Sequence, residues 1–248
     1  MNVERITDLE SLKKLEDKWN ELLFSSEQNC IFITHQWIYS WWKCFKEDNS
    51  LEILLLKDKS GVPFGIAPLM VKDGIFRFVG SQEVSDYCDF IIAYRRTEEF
   101  YKNLLNYFKS NNSVVKKIEL MNIKSSSPTL TILPRLAGEY NFSCSFSEIE
   151  VAPVLDLQYS YENYLSRLSK KNRHELRRKL RRIESLKGIK TTKIKSTAEL
   201  KTSIETFIAF HKKGTHSKVK FWERRGMSDF FREVVYRFSL KKWAERRA

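Results

Sequence analysis

The sequence predicts a mixed α/β protein built in layers, an α+β arrangement, on two observations. Through residues 1–157, segments with apolar residues three and four positions apart alternate with short aliphatic runs bounded by Gly, Asp and Ser. The first spacing is typical of helices that bury one side, and the second pattern is typical of strands. A composition that is 42% hydrophobic and 13% aromatic supplies enough apolar surface for such elements to pack against each other.

Two helices are predicted at the start of the chain. Thr7 and Glu10 have the spacing of a capping box, and the first helix follows them with its apolar side at Leu9, Leu12, Leu15, Trp19 and Leu22. Thr34 begins the second helix, whose apolar side carries Trp37, Ile38, Trp41, Trp42 and Phe45. We interpret these aromatic residues as core rather than as a ligand-stacking surface, because large aromatics at helical spacing usually supply burial.

Strands and helices then follow in alternation. We predict strands at residues 51–56, 62–71, 75–79, 87–93 and 116–123. A helix is predicted at residues 98–109, and another after the Ser127-Pro128 cap, with Leu130, Leu133, Leu136 and Tyr140 on one side. Residues 142–146 and 149–157 are predicted to be extended. Together these elements indicate a complete core within residues 1–157.

Residues 164–188 predict a strongly amphipathic, basic helix. Its apolar stripe is Leu165, Leu168, Leu176, Leu180, Ile183 and Leu186, interrupted by Asn172. Between residues 167 and 182 there are nine Lys or Arg residues and one acid, Glu175, and Gly188 gives a stop signal. A cationic helix face can hold phosphate, nucleic acid, an anionic membrane or only water, and the pattern alone leaves these alternatives open.

The rest of the chain predicts one strand and two more helices. The strand is expected at residues 189–195, followed by a helix that starts at a Ser196/Glu199 capping box and carries His211 on its apolar side. A loop at 212–220, a short helical turn at 221–225 and a last helix from Ser228 complete the order. One strand cannot form a sheet, so these elements need strands from elsewhere.

Charge and cysteine usage restrict the class of protein. Residues 1–150 carry a net charge of −3 and residues 151–248 carry +16, so the second half should attract an anionic partner. The four cysteines and four histidines show no metal-ligand spacing, and we expect buried thiols and no metal site. Because no apolar run has the length of a membrane span and the acidic, polar start is not a signal peptide, we expect a cytoplasmic protein.

Four segments carry a resemblance to a known family. They are FITHQWIYSWWKCF (32–45), SDYCDFI (85–91), YENYLSRLSKKNRHELRRKLRRIE (161–184) and FIAFHKKGTHSKVKFWERRGMSDFFREVVYRFS (207–239). In this order they resemble the CelD-type (BcsL-like) acyltransferases of cellulose and polysaccharide biosynthesis, which are relatives of the FemAB peptidyltransferases. The resemblance implies a GNAT-like acyl-CoA N-acyltransferase fold, in a tandem arrangement with domains at 1–157 and 158–248.

Two features depart from that family. Family members continue beyond the last helix into further strands and a pyrophosphate loop, whereas this sequence stops at Ala248, so we expect a truncated second domain. The sequence also contains no Gly-x-Gly, only Gly61 and Gly65 four positions apart, and we find no loop whose backbone N–H groups could cradle a pyrophosphate.

The resemblance also suggests site residues. Arg173, Arg177 and Arg178 could bind the phosphates of acyl-CoA bidentately, or could form a solvated face. Asp86, Tyr87 and Asp89 match the family's Asp-Tyr-x-Asp signature, where a carboxylate could orient an amine or accept its proton, or could cap a turn.

Two further residues complete the set of candidates. Trp222 could form a substrate wall or pack in the core, and His211 on an apolar face fits a core residue better than a base. No catalytic residue is assigned; the candidates are Asp86, Asp89 and His211.

We therefore predict an N-acyltransferase that moves an acyl group from acyl-CoA to an amine on a sugar or a polysaccharide or cell-envelope precursor. One alternative is a catalytically incomplete fragment of the same family. The other is a module that docks on anions through the basic helix at 165–187. Because that helix carries no aromatic residues for base stacking, nucleic acid is disfavoured as a partner, although binding to a phosphate backbone stays open. Peripheral contact with an anionic membrane surface also stays open. Self-association into a homo-oligomer stays open.

Overall fold

A computed structural model describes residues 2–80, 84–155, 160–188, 194 and 196–241. It confirms a mixed α/β protein. The chain divides into two compact units, one formed by Met1–Phe146 with Lys195–Ala248 and the other by Ser147–Ile194. The boundaries of these units differ from the predicted domain boundary after residue 157. The assignment of two GNAT-like domains stays a prediction.

A mixed β-sheet forms the centre of the first unit. Its strands within the described residues are β1 Asn2–Ile6, β2 Ser50–Lys57, β3 Pro63–Lys72, β4 Ile75–Phe78, β5 Ile91–Ile92 and β6 Lys117–Glu119. The order is β1-β2-β3-β4-β6, and β5 pairs with β3. The β4–β6 pair is parallel, and the other pairs of described strands are antiparallel.

Helices cover both faces of this sheet. Leu51, Ile53 and Leu55 of β2 contribute to one buried apolar cluster, and Leu54 and Leu56 contribute to another. Because successive side chains of a strand point to opposite faces, this alternation means that the sheet is buried on both sides. The unit is therefore a sheet between two layers of helices.

The first helical layer contains α1 Leu9–Lys14, α2 Glu16–Phe24, α3 His35–Phe45, α8 Thr197–His211, α9 His216–Glu223 and α10 Met227–Leu240. The aromatic side of α3 is core, as predicted, and α10 packs directly on it. The ring of Phe230 in α10 lies 5.1 Å from Trp37 and 5.2 Å from Phe45 between centroids. Packing on α3 buries the apolar side of α10 without any additional strand.

The second helical layer contains α4 Thr97–Ser110 and α5 Ile132–Glu139, with a short 3-10 helix at Pro128–Leu130. Phe90, Phe100 and Tyr101 are fully buried there. Gly65 on β3 makes room for this layer, since a Cβ atom at that position would lie 2.2 Å from the ring of Phe100.

The second unit contains α6 Tyr161–Arg167 and α7 Lys170–Glu184. The prediction of one continuous helix over residues 164–188 is wrong, because the chain is extended at Leu168 (ψ 149°). Ser169 then starts α7, and its side chain accepts a hydrogen bond from the backbone N–H of Asn172. The basic helix is therefore two shorter helices with a capped break.

Several predicted boundaries also move. The first helix is capped by Asp8 with the N–H of Ser11, not by Thr7 and Glu10, and it divides into two helices at Leu15. The predicted strands at 87–93 and 116–123 shrink to β5 and β6, and residues 142–155 form no strand. The predicted loop at 212–220 contains the start of α9, and α10 begins after Gly226 (φ 83°), before Ser228. The predicted strand at 189–195 lies outside the described residues, apart from Ile194.

Candidate functional site

The carboxyl ends of β4 and β6 lie side by side. These strands pair in parallel, with Ile75 opposite Lys117 and Arg77 opposite Glu119. In α/β sheets, ligands bind outside the carboxyl ends of parallel strands, because the loops that follow them converge there. We call residues 84–90 the first site loop and residues 120–127 the second site loop; together they form the candidate site.

Hydrogen bonds hold the two site loops together. The backbone N–H of Cys88 donates to the carbonyl oxygen of Asn122 (2.9 Å), and the Asn122 side-chain amide donates to the carbonyl oxygen of Ser85 (2.7 Å). Asn122 has φ 60°, a left-handed conformation that asparagine tolerates well. The indole N–H of Trp37 donates to the Ser85 hydroxyl (2.9 Å) and so ties the first loop to α3.

Asp89 is the buried centre of a closed polar network. Its Oδ1 accepts hydrogen bonds from the Thr129 hydroxyl (2.5 Å) and the Phe90 N–H (2.9 Å), and its Oδ2 accepts one from the Ser127 hydroxyl (2.5 Å). The Tyr101 hydroxyl lies 2.7 Å from Thr129 Oγ1. Burial raises the pKa of Asp89, and the bonds from Ser127 and Thr129 oppose that rise in part.

This geometry favours a structural role for Asp89, since it joins the first site loop to the 3-10 helix at Pro128–Leu130. The sequence analysis missed Ser127, Thr129 and Tyr101 as its partners. A local signal existed only for Ser127, which the sequence marks as a cap.

Asp86 and Tyr87 occupy the open side of the same loop. Asp86 is exposed and Tyr87 is half-buried, with its ring 6.2 Å from that of Phe32. The thiol of Cys30 donates to the carbonyl oxygen of Tyr87 at 3.8 Å. An exposed carboxylate beside an aromatic wall can receive an ammonium group, so Asp86 is better placed than Asp89 to meet an amine.

The cysteines near the site are not activated as nucleophiles. Burial raises the pKa of the Cys30 thiol and of the Cys88 thiol above the ordinary value. Both thiols are therefore protonated at neutral pH, whereas the thiolate is the reactive form. The arrangement favours chemistry in which a substrate attacks directly, without a covalent intermediate on these cysteines.

Trp222 and His211 lie together in an aromatic cluster of the same unit. The His211 ring is 4.2 Å from Phe207 and 6.1 Å from Trp222 between centroids. Trp222 is buried, and its indole N–H has no hydrogen-bond partner among the described residues. Val84 of the first site loop packs against the apolar cluster that contains Trp222, Ile208 and Met227, so the structure brings that cluster next to the loop that carries Asp86.

The three candidate arginines lie on α7, in the other compact unit, and each has an internal partner. Arg173 donates to the carbonyl oxygens of Ser166 (3.2 Å) and Leu168 (3.1 Å), which caps the end of α6. Arg178 makes two hydrogen bonds to Glu175 (2.9 and 2.8 Å). Arg177 lies 3.5 Å from Glu162. The exposed ion pairs of Arg177 and Arg178 contribute little stability, so either arginine can leave its carboxylate and bind another anion. The hydrogen bonds of Arg173 instead hold the end of α6.

The described residues contain no group of three or more His, Cys, Asp or Glu side chains placed to hold a metal ion. They also contain no helix with the length and hydropathy that a membrane crossing requires.

Comparison of the chain with protein-family models, with curated proteins and with solved structures found no match in any of the three.

Proposed function

We propose that the protein is a GNAT-type N-acyltransferase that transfers an acyl group from acyl-CoA to an amine on a sugar or a polysaccharide or cell-envelope precursor. The observation that carries the proposal is the element order of the first unit. Helices precede an antiparallel meander of β2, β3 and β4, and α4 then crosses to β6, which lies parallel to β4. This agrees with the order expected from the resemblance to the CelD-type enzymes as far as α5, whereas the final extended segment expected after it forms no strand in residues 142–155.

The chemistry needs few catalytic groups, because a thioester is already activated. The amine nitrogen attacks the thioester carbonyl carbon, the new C–N bond forms, and the C–S bond breaks to release CoA. Asp86 accepts the proton that the amine loses, and this proton passes to the departing thiolate. Tyr87 supplies a substrate wall, whereas Trp222 is buried in the core and supports the first site loop from behind. The remaining rate comes from positioning and from backbone N–H groups that stabilise the oxyanion.

Within the second unit, taken by itself, the proposal offers the arginine side chains of α7 as contacts for the phosphates of acyl-CoA. Arg177 and Arg178 are exposed and carry only weak acidic partners, so they suit this role better than Arg173, which caps α6. Arginine binds phosphate with two parallel hydrogen bonds, and a pair of arginines can replace part of the cradle that a glycine-rich loop would form.

Calorimetric titration with acetyl-CoA and with a longer acyl-CoA tests this proposal. We expect saturable binding with one-to-one stoichiometry, weakened at least tenfold in the double variant Arg177→Gln/Arg178→Gln. The control is Lys14→Gln/Lys18→Gln, which removes two exposed cations of α1 and α2. If the protein is folded by circular dichroism and binds neither compound, the acyltransferase proposal is wrong for this chain.

The role of Asp86 has a separate test. CoA release with a panel of amino sugars should fall about 100-fold in Asp86→Asn, as is typical for loss of a general base, while the affinity for acetyl-CoA stays unchanged. Asp17→Asn, at a side chain that is 90% exposed, is the matched control. Equal rates for Asp86→Asn and the control would remove Asp86 from the mechanism.

A further inference from the structure

Helix α7 carries an exposed apolar stripe within a strongly basic segment. Residues 160–188 contain ten Lys or Arg and three Asp or Glu residues, a net charge of +7. Leu176, Leu180 and Ile183 fall within a sector of about 60° on the helix, at about 100° per residue. None of the fifteen residues of α7 is buried.

The exposure of this stripe is unusual for a helix in a folded protein. Ile183 is 53% exposed, Leu176 and Leu180 are partly exposed, and Leu186, just beyond the end of α7, is also 53% exposed. A surface helix normally turns its apolar stripe inward, because burial of that stripe provides most of its stability. An apolar stripe that stays accessible marks a surface for a partner that offers an apolar environment.

Cations border the stripe on both sides. By helical spacing, Lys179 lies about 70° from the centre of the stripe on one side, and Lys170 lies about 110° from it on the other. Lysine and arginine in such positions bury their methylene chains and place the charge at a headgroup. This arrangement is typical of helices that lie in the plane of a lipid interface.

Four cations of α7 are also without internal partners. They are Lys170, Lys171, Arg181 and Arg182, which are exposed and form no ion pair or side-chain hydrogen bond among the described residues. Each basic residue near an anionic lipid surface adds to the attraction. Their charge is therefore free to act on an external anion.

We propose that α7 docks the protein on an anionic lipid bilayer, with the Leu176–Leu180–Ile183 stripe at the acyl boundary and its cations among the headgroups. The charge and the exposed stripe together select this partner. A nucleic acid would use the cations but leave the apolar stripe in water, and α7 has no aromatic residue on which a base could stack. This inference is independent of the acyltransferase proposal.

Sedimentation of the full chain with lipid vesicles tests the proposal. We expect binding to vesicles of phosphatidylcholine with phosphatidylserine and none to phosphatidylcholine alone. Lys170→Gln/Lys171→Gln/Arg181→Gln/Arg182→Gln should weaken binding at least tenfold. Ile183→Ser should weaken it severalfold without any change in charge. The control Lys13→Gln/Lys14→Gln/Lys59→Gln/Lys116→Gln removes four exposed cations of the first unit and should bind as the wild type does.

Three results would overturn the proposal. One is the absence of binding to anionic vesicles by folded protein. Another is an equal loss of binding in the α7 variant and in the control, which would indicate net charge alone. The third is binding to a single-stranded oligonucleotide, sensitive to the same four substitutions, without any binding to vesicles. Titration of the same samples with acetyl-CoA tests the acyltransferase proposal separately from lipid binding.

Discussion

Replacing Thr129 with valine removes one hydroxyl from the network around Asp89 and leaves the side-chain volume almost unchanged. The Thr129 hydroxyl donates to Asp89 Oδ1 at 2.5 Å and lies 2.7 Å from the Tyr101 hydroxyl. Thr129 and Tyr101 are buried, so water cannot easily replace the lost group. The substitution therefore removes one hydrogen bond from the carboxylate of Asp89 and leaves the Tyr101 hydroxyl without a partner.

The expected cost follows from these two losses. A hydrogen bond to a charged group contributes about 1.5–3 kcal/mol, and a buried hydroxyl without a partner costs about 1–3 kcal/mol. We expect Thr129→Val to lower the free energy of unfolding by about 3 kcal/mol and Tyr101→Phe to lower it by about 1 kcal/mol. The double variant should cost about 1 kcal/mol less than the sum, because no orphaned phenol remains.

Urea unfolding followed by circular dichroism measures these values. The slope with denaturant should be the same in all variants, so that midpoint shifts report stability. A cost below about 0.5 kcal/mol for Thr129→Val, or strict additivity in the double variant, would show that the network is not formed as described.

The pH dependence gives a second check on Thr129→Val. Burial raises the pKa of Asp89 above its unfolded value of about 3.9, so its contribution to stability is present at low pH and is lost as pH rises through the folded pKa. The Thr129 hydroxyl stabilises the ionised carboxylate, and this stabilisation limits the loss. The cost of the valine should therefore be larger near pH 7 than near pH 4.

Further predictions concern four other positions of the first unit. Burial lowers the pKa of His35, so the free energy of unfolding should fall as pH drops below about 6.5. Urea unfolding between pH 7 and pH 5 should show that this free energy depends less on pH in His35→Gln than in the wild type. Tyr107→Phe removes a 2.5 Å hydrogen bond to the buried carboxylate of Glu52 and should cost about 1.5–3 kcal/mol, measured by the same unfolding assay. Gly65→Ala should destabilise by at least about 1–3 kcal/mol because its Cβ would meet a buried ring at 2.2 Å. Gly138→Ala, within α5 and in open space, should instead stabilise by about 0.5–1 kcal/mol, and thermal unfolding compares the two glycines.

Local signals in the sequence predict the helices well. The caps at Thr34 and Ser196 and the aromatic spacing of α3 and α10 act over a few residues, so they can be read without the fold. The break at Ser169 was missed because apolar spacing continues across it from Leu165 to Leu176. The strand β1 was missed because its five residues have no alternating apolar pattern and are ordered by pairing with β2.

The candidate site was predicted only in part, for a physical reason. The resemblance singled out Asp86, Tyr87 and Asp89, but the groups that hold Asp89 come from residues 101, 127 and 129. Contacts between α4, the 3-10 helix and the first site loop arise from the packing of the second layer, which no local pattern encodes. The parallel pairing of β4 with β6 is likewise a property of the sheet, and it is what brings the two site loops together.

Chemical-shift mapping with acetyl-CoA tests the central claim most directly, because it locates the ligand as well as detecting it. The account predicts that backbone amide shifts on titration appear in residues 84–90 and 120–127 of the first unit and around Arg177 and Arg178 of the second, and that they saturate at one equivalent of ligand. The Asp86→Asn variant should keep the pattern, since it alters the proton acceptor and not the fold of the loops. Shifts confined to other parts of the chain, or none in a well-folded sample, would contradict the placement of an acyl-CoA site at the carboxyl ends of β4 and β6.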